Sequence, residues 1–194
     1  MAEKSALVLV ADGSEEIETL APVDILRRAK TQVTLAAVCQ EGKTVTCSRG
    51  VRVEADARIE EVQDKEFDII VCPGGMPGAT NLAASETLQG KLKAQAARGA
   101  IIGAICAAPA VVLAPLGLLD NKPATCHPGF AEKLQGVAKD GCSETRVVVT
   151  DDEKVITSRG PGTAIEFALQ IVELLHGKEV RDQVAAPMVV APGL

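Results

Sequence analysis

The sequence predicts an α/β fold built on a doubly wound sheet. Two observations carry that prediction. Apolar runs of strand length recur along the chain, and several are continuous rather than alternating, the pattern of strands covered on both faces. Segments with helical spacing lie between them, and strands alternating with helices define a sheet flanked by helices. A length of 194 residues suits a single domain over 1–194, since domains run to roughly 100–200 residues.

Each element has its own justification. Residues 6–11 form the first apolar strand run, and a helical pattern follows over 15–30, where Pro22 is expected to kink or split the helix. Residues 33–38 form the second strand run. Residues 43–54 read as a small hairpin turning near Arg49-Gly50. A strand over 68–72, one helix over 82–97 and a strand over 100–105 come next. The last strands are expected at 147–150 and 155–158. The clearest helix covers 162–176, with Ile165, Ala168, Leu169, Val172 and Leu175 on one stripe and Pro161 in its first turn. His176, at its end, is expected to serve as a charge partner for the helix C-terminus.

Composition removes several function classes. There is no Trp, no Tyr and only three Phe, so the 47% hydrophobic content is mainly aliphatic. That argues against aromatic stacking of single-stranded nucleic acid. A net charge of −6 argues against an extended phosphate-binding surface. The six cysteines form no C-x-x-C pair and no zinc spacing with histidine, so no metal site is expected. Free thiols and no visible export segment lead to an expected reducing, cytoplasmic location. The uncharged stretch 100–119 approaches the roughly 20 residues of a membrane span. Pro109, Pro115, Gly103 and Gly117 interrupt it, and a buried strand–turn–helix is expected instead.

In sheets of this kind ligands bind beyond the carboxyl ends of the strands. The loops at 12–18, 73–78, 106–109 and 126–129 are therefore where chemistry is sought. Cys106 ends a strand run and opens a helix, where N–H groups lower a thiol pKa and favour nucleophilic attack. A packed core cysteine is the equal alternative. Gly74-Gly75 allows a backbone N–H to approach a ligand, and with the N–H after Cys106 it can form an oxyanion hole; a plain turn is the competing reading. His127, before Pro128-Gly129, is the better placed of two histidines for acid–base work, against a plain surface-loop role. Glu15, Glu16 and Glu18 fall in a first helical turn, where the helix dipole alone explains acids. A carboxyl buried beside a thiol would have a raised pKa, but these residues do not say which Glu it is.

Taken in order, these motifs resemble the Parkinsonism-associated deglycase family of the ThiJ/PfpI superfamily. The resemblance runs through Glu15-Glu16-Ile17-Glu18-Thr19, Cys47-Ser48-Arg49, Pro73-Gly74-Gly75, Ala104-Ile105-Cys106-Ala107-Ala108-Pro109 and Thr157-Ser158-Arg159-Gly160-Pro161-Gly162-Thr163. It implies a flavodoxin-like, mostly parallel sheet sandwiched by helices, and a homodimer. It implies that Cys106 is the nucleophilic and oxidisable cysteine, that Glu18 hydrogen-bonds its sulfur and that His127 moves protons. It further implies that Gly75 and Ala107, next to Gly74, are the backbone donors around the site, that Arg28 and Arg49 are basic residues near the site and the dimer interface, and that Gly160 and Pro161 form the adjoining loop. Cys47 is implied as a peripheral redox cysteine. Cys126, beside His127, adds another thiol near the site. Ala107 stands where the peptidase-like branch has His, which counts against a cysteine peptidase, kept as a minor alternative.

The resemblance implies a cofactor-independent glyoxalase acting on methylglyoxal or glyoxal, with deglycation of early glyoxal adducts as a related activity. The alternative it implies is a non-enzymatic oxidative-stress sensor and chaperone working through Cys106. The expected partner is a small reactive dicarbonyl, with no cofactor, metal or membrane span.

Overall fold

A computed structural model describes residues 3–191. Its centre is a seven-stranded sheet of order β5-β2-β1-β6-β7-β9-β8. The strands are β1 (Ser5–Ala11), β2 (Gln32–Val38), β5 (Ala57–Arg58), β6 (Ile69–Cys72), β7 (Ile101–Ile105), β8 (Val147–Val149) and β9 (Val155–Ser158). All neighbours pair in parallel except β8 and β9. The antiparallel β8–β9 hairpin closes one edge. Residues Ala6 to Ala11 and the whole of β6 have no exposed surface, as continuous apolar runs require in a sheet covered on both faces. The fold is flavodoxin-like.

Helix α1 (Glu16–Arg28) connects β1 to β2 and packs against α4 (Ala164–His176). The β6-to-β7 crossover, carrying α2 (Gly78–Ala84) and α3 (Glu86–Ala97), progresses across the sheet in the opposite direction. Right-handed crossovers therefore place it on the other face. The direction of progression changes between β1 and β6. That switch point opens a crevice at their carboxyl ends, where the loops after β1, β6 and β7 meet.

Several expectations are corrected. Pro22 lies inside α1 but does not split it; it only withholds the donor that the Glu18 carbonyl would otherwise receive from position 22. The single helix expected over 82–97 is two helices. Ser85 leaves helical geometry and caps α3 by accepting from the Leu88 N–H at 3.2 Å. After Cys106 the chain forms a π-helical turn, Pro109–Leu113, rather than an α-helix. Ile165 is exposed rather than part of the buried stripe, which uses Phe167, Ala168, Ile171, Val172 and Leu175. His176 is not a charged terminus partner: it bonds Thr31 Oγ1 at 2.8 Å, and burial, then the Lys4 charge, hold its pKa below the ordinary value. The chain continues into α5 (Lys178–Ala185), which has no counterpart among the expected elements.

The hairpin appears as expected, as β3 (Thr44–Thr46) and β4 (Arg52–Glu54) with Gly50 in left-handed geometry at the turn. It docks on the β1–α1 loop. Gly13 N–H donates to the Thr46 carbonyl at 2.8 Å, Ser48 N–H to the Ser14 carbonyl at 2.8 Å, and Thr46 N–H to Asp12 Oδ1 at 2.7 Å. No helix among the described residues is long and apolar enough to cross a membrane.

Candidate active site

Cys106 follows the last residue of β7 with φ of 64°, a left-handed backbone that a side chain bearing Cβ adopts only under strain. Two hydrogen bonds hold it there. Its N–H donates to the Ser158 carbonyl at 3.0 Å, and its carbonyl accepts from the His127 N–H at 2.8 Å. The chain stops as a strand, turns sharply and restarts as a helical turn, the geometry of a nucleophile elbow. Cys106 is 9% exposed, so its sulfur is largely enclosed by the protein.

The glycines make room for it. A Cβ built on Gly74 would sit 2.7 Å from Cys106 Cβ and 2.8 Å from Glu18 Oε2, so any side chain would displace the thiol or the carboxyl. Gly75 has φ of 81°, and a Cβ there would strike the Gly13 carbonyl and the Glu15 N–H. The Gly75 and Ala107 N–H groups are directed at the Cys106 sulfur.

The three acids separate into three tasks. Glu15 caps α1 by accepting from the Glu18 N–H at 2.8 Å. Glu16 clamps the hairpin, accepting from Ser48 Oγ at 2.9 Å and the Arg49 N–H at 2.6 Å. Burial opposes its ionisation, but these hydrogen bonds outweigh burial and its pKa falls below the ordinary value. Glu18 is fully buried. Oε2 accepts from the Gly74 N–H at 2.9 Å, Oε1 has no hydrogen-bond partner, and the Cys106 thiol lies beside the carboxyl as a hydrogen-bonding neighbour. Burial pushes Glu18 up to about 7, helped by the Glu15 charge and opposed by the bonds from Cys106 and Gly74.

The expected lowering of the Cys106 pKa is overturned. Burial, then the Glu18 charge and its hydrogen bond, push the thiol up to about 12, against the opposing pull of the Gly75 and Ala107 N–H groups. The resting group is a thiol with a carboxyl of near-neutral pKa beside it.

His127 reaches the site by its backbone. Its ring is exposed, Nδ1 accepts from the Gly129 N–H at 3.1 Å, and Cδ2 faces Gly160, where a Cβ would lie 3.7 Å away. The Gly160-Pro161 loop is pinned by Thr163 Oγ1, which accepts from the Gly160 N–H at 3.1 Å and shares a 2.7 Å bond with Ser158 Oγ. One chain thus brings Cys106, Glu18, Gly74, Gly75 and Ala107 together, with His127, Gly160 and Pro161 on the rim. Arg49 lies exposed on the hairpin turn, attached to the site through Glu16. Arg28 is not brought to the sulfur. It sits at the opposite end of α1, ion-paired with Asp24 at 2.8 Å. Cys47 is buried, and burial, then the Glu16 and Glu15 charges, push it up to about 11. Cys126 is buried next to the site, 3.6 Å from the sulfur of Cys142.

Two contributors were not singled out by the sequence. Ser158 supplies the carbonyl that holds the elbow, and Cys142 lies against Cys126 although 16 positions separate them. Neither carries a local signal, because each contact depends on tertiary folding. Among the described residues no group of three His, Cys, Asp or Glu side chains is placed to hold a metal ion.

A flavodoxin-like domain with a strained cysteine elbow at its topological switch point and a buried carboxyl against the thiol is a class of cysteine-centred α/β protein. The chain belongs to the DJ-1/PfpI family, whose pattern matches residues 4–174. It is 44% identical over 190 residues to the Parkinson disease protein 7 homolog of Danio rerio, covering 97% of this chain and 98% of that one. It is 42% identical over 192 residues to the glutathione-independent glyoxalase DJR-1.2 of Caenorhabditis elegans, covering 98% of both. Among solved structures, Drosophila melanogaster DJ-1beta superposes with a TM-score of 0.92 at 41% identity, over 98% of this chain and 100% of that one. Oxidized Toxoplasma gondii DJ-1 superposes with a TM-score of 0.91 at 43% identity, over 97% and 99%.

Proposed function

We propose that the protein is a cofactor-independent glyoxalase that converts methylglyoxal to lactate and glyoxal to glycolate. The observation that carries this reading is the Glu18 carboxyl, pushed up to about 7 and placed against the Cys106 thiol. A base of that pKa is matched to proton transfer at neutral pH. The relative described as a glutathione-independent glyoxalase supports it.

The chemistry follows from the parts. Cys106 sulfur attacks the aldehyde carbon and its proton passes to Glu18. The electron pair of the C=O bond moves onto oxygen, which the Gly75 and Ala107 N–H groups stabilise and which takes that proton back from Glu18 to give a hemithioacetal. The hydrogen on that carbon is then removed as a proton by the Glu18 carboxylate, and the neighbouring carbonyl carbon is protonated through an enediol, with His127 on the rim passing protons to and from solvent. The product is a 2-hydroxy thioester on Cys106. Water cleaves it, releasing the hydroxy acid and restoring the thiol. One carbon is oxidised and its neighbour reduced within the same substrate, so the balance needs only protons and water. Deglycation of an early glyoxal adduct would use the same thiol and carboxyl.

The test is conversion of methylglyoxal to lactate in the absence of glutathione. Cys106→Ser is expected to abolish it, and a fully active Cys106→Ser protein would overturn the reading.

A second reading, redox sensing through Cys106, is favoured by the likeness to an oxidized relative. The Gly75 and Ala107 N–H groups and a protonated Glu18 would bond the oxygens of an oxidised sulfur. Mass spectrometry after mild peroxide is expected to show Cys106 modified before Cys39, Cys47 or Cys72. The reverse order would remove this reading. The protein is also proposed to act as a homodimer, through the exposed apolar face of α1.

A further inference from the structure

The glyoxalase reading makes no use of Cys126 and Cys142, yet their sulfurs lie 3.6 Å apart. The placement is built into the backbone. Ala124 and Cys142 form an isolated parallel bridge, Ser143 N–H donates to the Ala124 carbonyl at 2.9 Å, and Thr125 Oγ1 donates to the Ser143 carbonyl at 2.6 Å. Cys126 lies two residues beyond Ala124, so its side chain leaves the same face of the extended segment as that of Ala124. The two thiols differ in access. Cys126 has no exposed surface, whereas Cys142 is partly exposed.

We propose that Cys126 and Cys142 form a reversible intramolecular disulfide, a second redox site separate from Cys106, with a peroxide as its oxidant. Cys142, the accessible member, reacts first. Its sulfur attacks one peroxide oxygen, the O–O bond breaks, and a sulfenic acid and one water result. Cys126 sulfur then attacks the Cys142 sulfur. The S–S bond forms as hydroxide leaves, and the Cys126 proton converts that hydroxide to a second water. Two thiols lose two electrons and two protons, and one hydrogen peroxide becomes two waters. The sulfurs must close from 3.6 Å to about 2.0 Å, a side-chain movement within reach of existing backbone pairing. Because the His127 N–H is bonded to the Cys106 carbonyl, the disulfide would tie the segment that supports the elbow to residues 141–143.

The experiment uses the full chain with stoichiometric hydrogen peroxide, followed by alkylation in denaturant, digestion without reductant by an endoproteinase that cuts before Asp, and mass spectrometry. Cleavage before Asp120, Asp140 and Asp151 puts Cys106, Cys126 and Cys142 on three separate peptides, so a linked pair is unambiguous. The expected result is a Cys126–Cys142 linked peptide from the monomer band of a non-reducing gel in most chains, lost on treatment with dithiothreitol. It is also expected in Cys106→Ser, which separates this site from the proposed glyoxalase centre, and is expected to vanish in Cys142→Ser. Recovery of both cysteines as alkylated thiols at peroxide levels that already modify Cys106 would overturn the proposal. So would a bond from Cys126 to Cys106, or between two chains.

Discussion

Glu18 is the residue on which the proposed chemistry turns, and its protonation is coupled to folding. Its ordinary pKa of 4.5 rises to about 7 in the fold, chiefly through burial. A carboxyl that binds its proton more tightly when folded favours the folded state at low pH. That contribution is present in full below pH 4.5 and is lost as pH climbs toward 7, amounting to about 3 kcal/mol. Glu18→Gln removes the ionisation. The variant is expected to match the wild type in Tm near pH 4.5 and to exceed it near pH 8, as thermal unfolding across that range would show. In the proposed reaction the wild-type kcat/KM is expected to rise with pH through about 7. Glu18→Gln is expected to flatten that profile and lower kcat roughly 100-fold or more, the usual worth of a positioned base. Gly74→Ala tests the space rather than the charge. Its methyl group would sit 2.7 Å from Cys106 Cβ, so it is expected to destabilise by about 1–3 kcal/mol. Displacing the thiol is also expected to reduce turnover about 100-fold, by urea unfolding and steady-state assay respectively. The sequence could place three acids near the cysteine but could not choose among them. Glu15, Glu16 and Glu18 share one helical turn, and only the docking of the hairpin and of the Gly74 backbone assigns a cap, a clamp and a buried acid.

At the scale of elements, the strands were legible because burial on both faces imposes continuous apolar runs, and β1, β6 and β7 fall within about a residue of where those runs lie. The helices were less legible where a local cap overrides periodicity. Residues 82–97 read as one helix because apolar spacing continues through Ser85, yet Ser85 ends α2 and starts α3. That cap is testable. Ser85→Ala removes the bond to the Leu88 N–H and is expected to lower stability by about 1 kcal/mol, measurable in urea, while leaving activity intact because the cap is remote from the sulfur. The π-helical turn after Cys106 was not legible either. Its apolar composition matches an α-helix and carries no mark of the wider ring. The raised thiol pKa escaped the sequence for a different reason. Proximity to helix N–H groups was visible in the sequence, but enclosure of the sulfur beside Glu18 was not, and enclosure dominates.

At the scale of the whole molecule, the solvent face of α1 carries the proposed dimer contact. Ile17, Leu20, Asp24 and Arg28 follow one another at helical spacing, and Ile17 and Leu20 are 53% and 38% exposed. Val51, 46% exposed, lies next to them because its N–H approaches the Glu16 carboxylate. An apolar strip edged by a charged pair is suited to a twofold contact, in which the same surface serves both subunits. Leu20→Glu places a charge in the strip. It is expected to shift the protein from dimer to monomer in sedimentation equilibrium while the circular dichroism of the fold is kept. Arg28→Ala, which breaks the ion pair at the edge of the strip, is expected to leave the mass unchanged. A wild-type chain that sediments as a monomer at micromolar concentration would dismiss the contact and leave Arg28 as a surface ion-pair partner of Asp24.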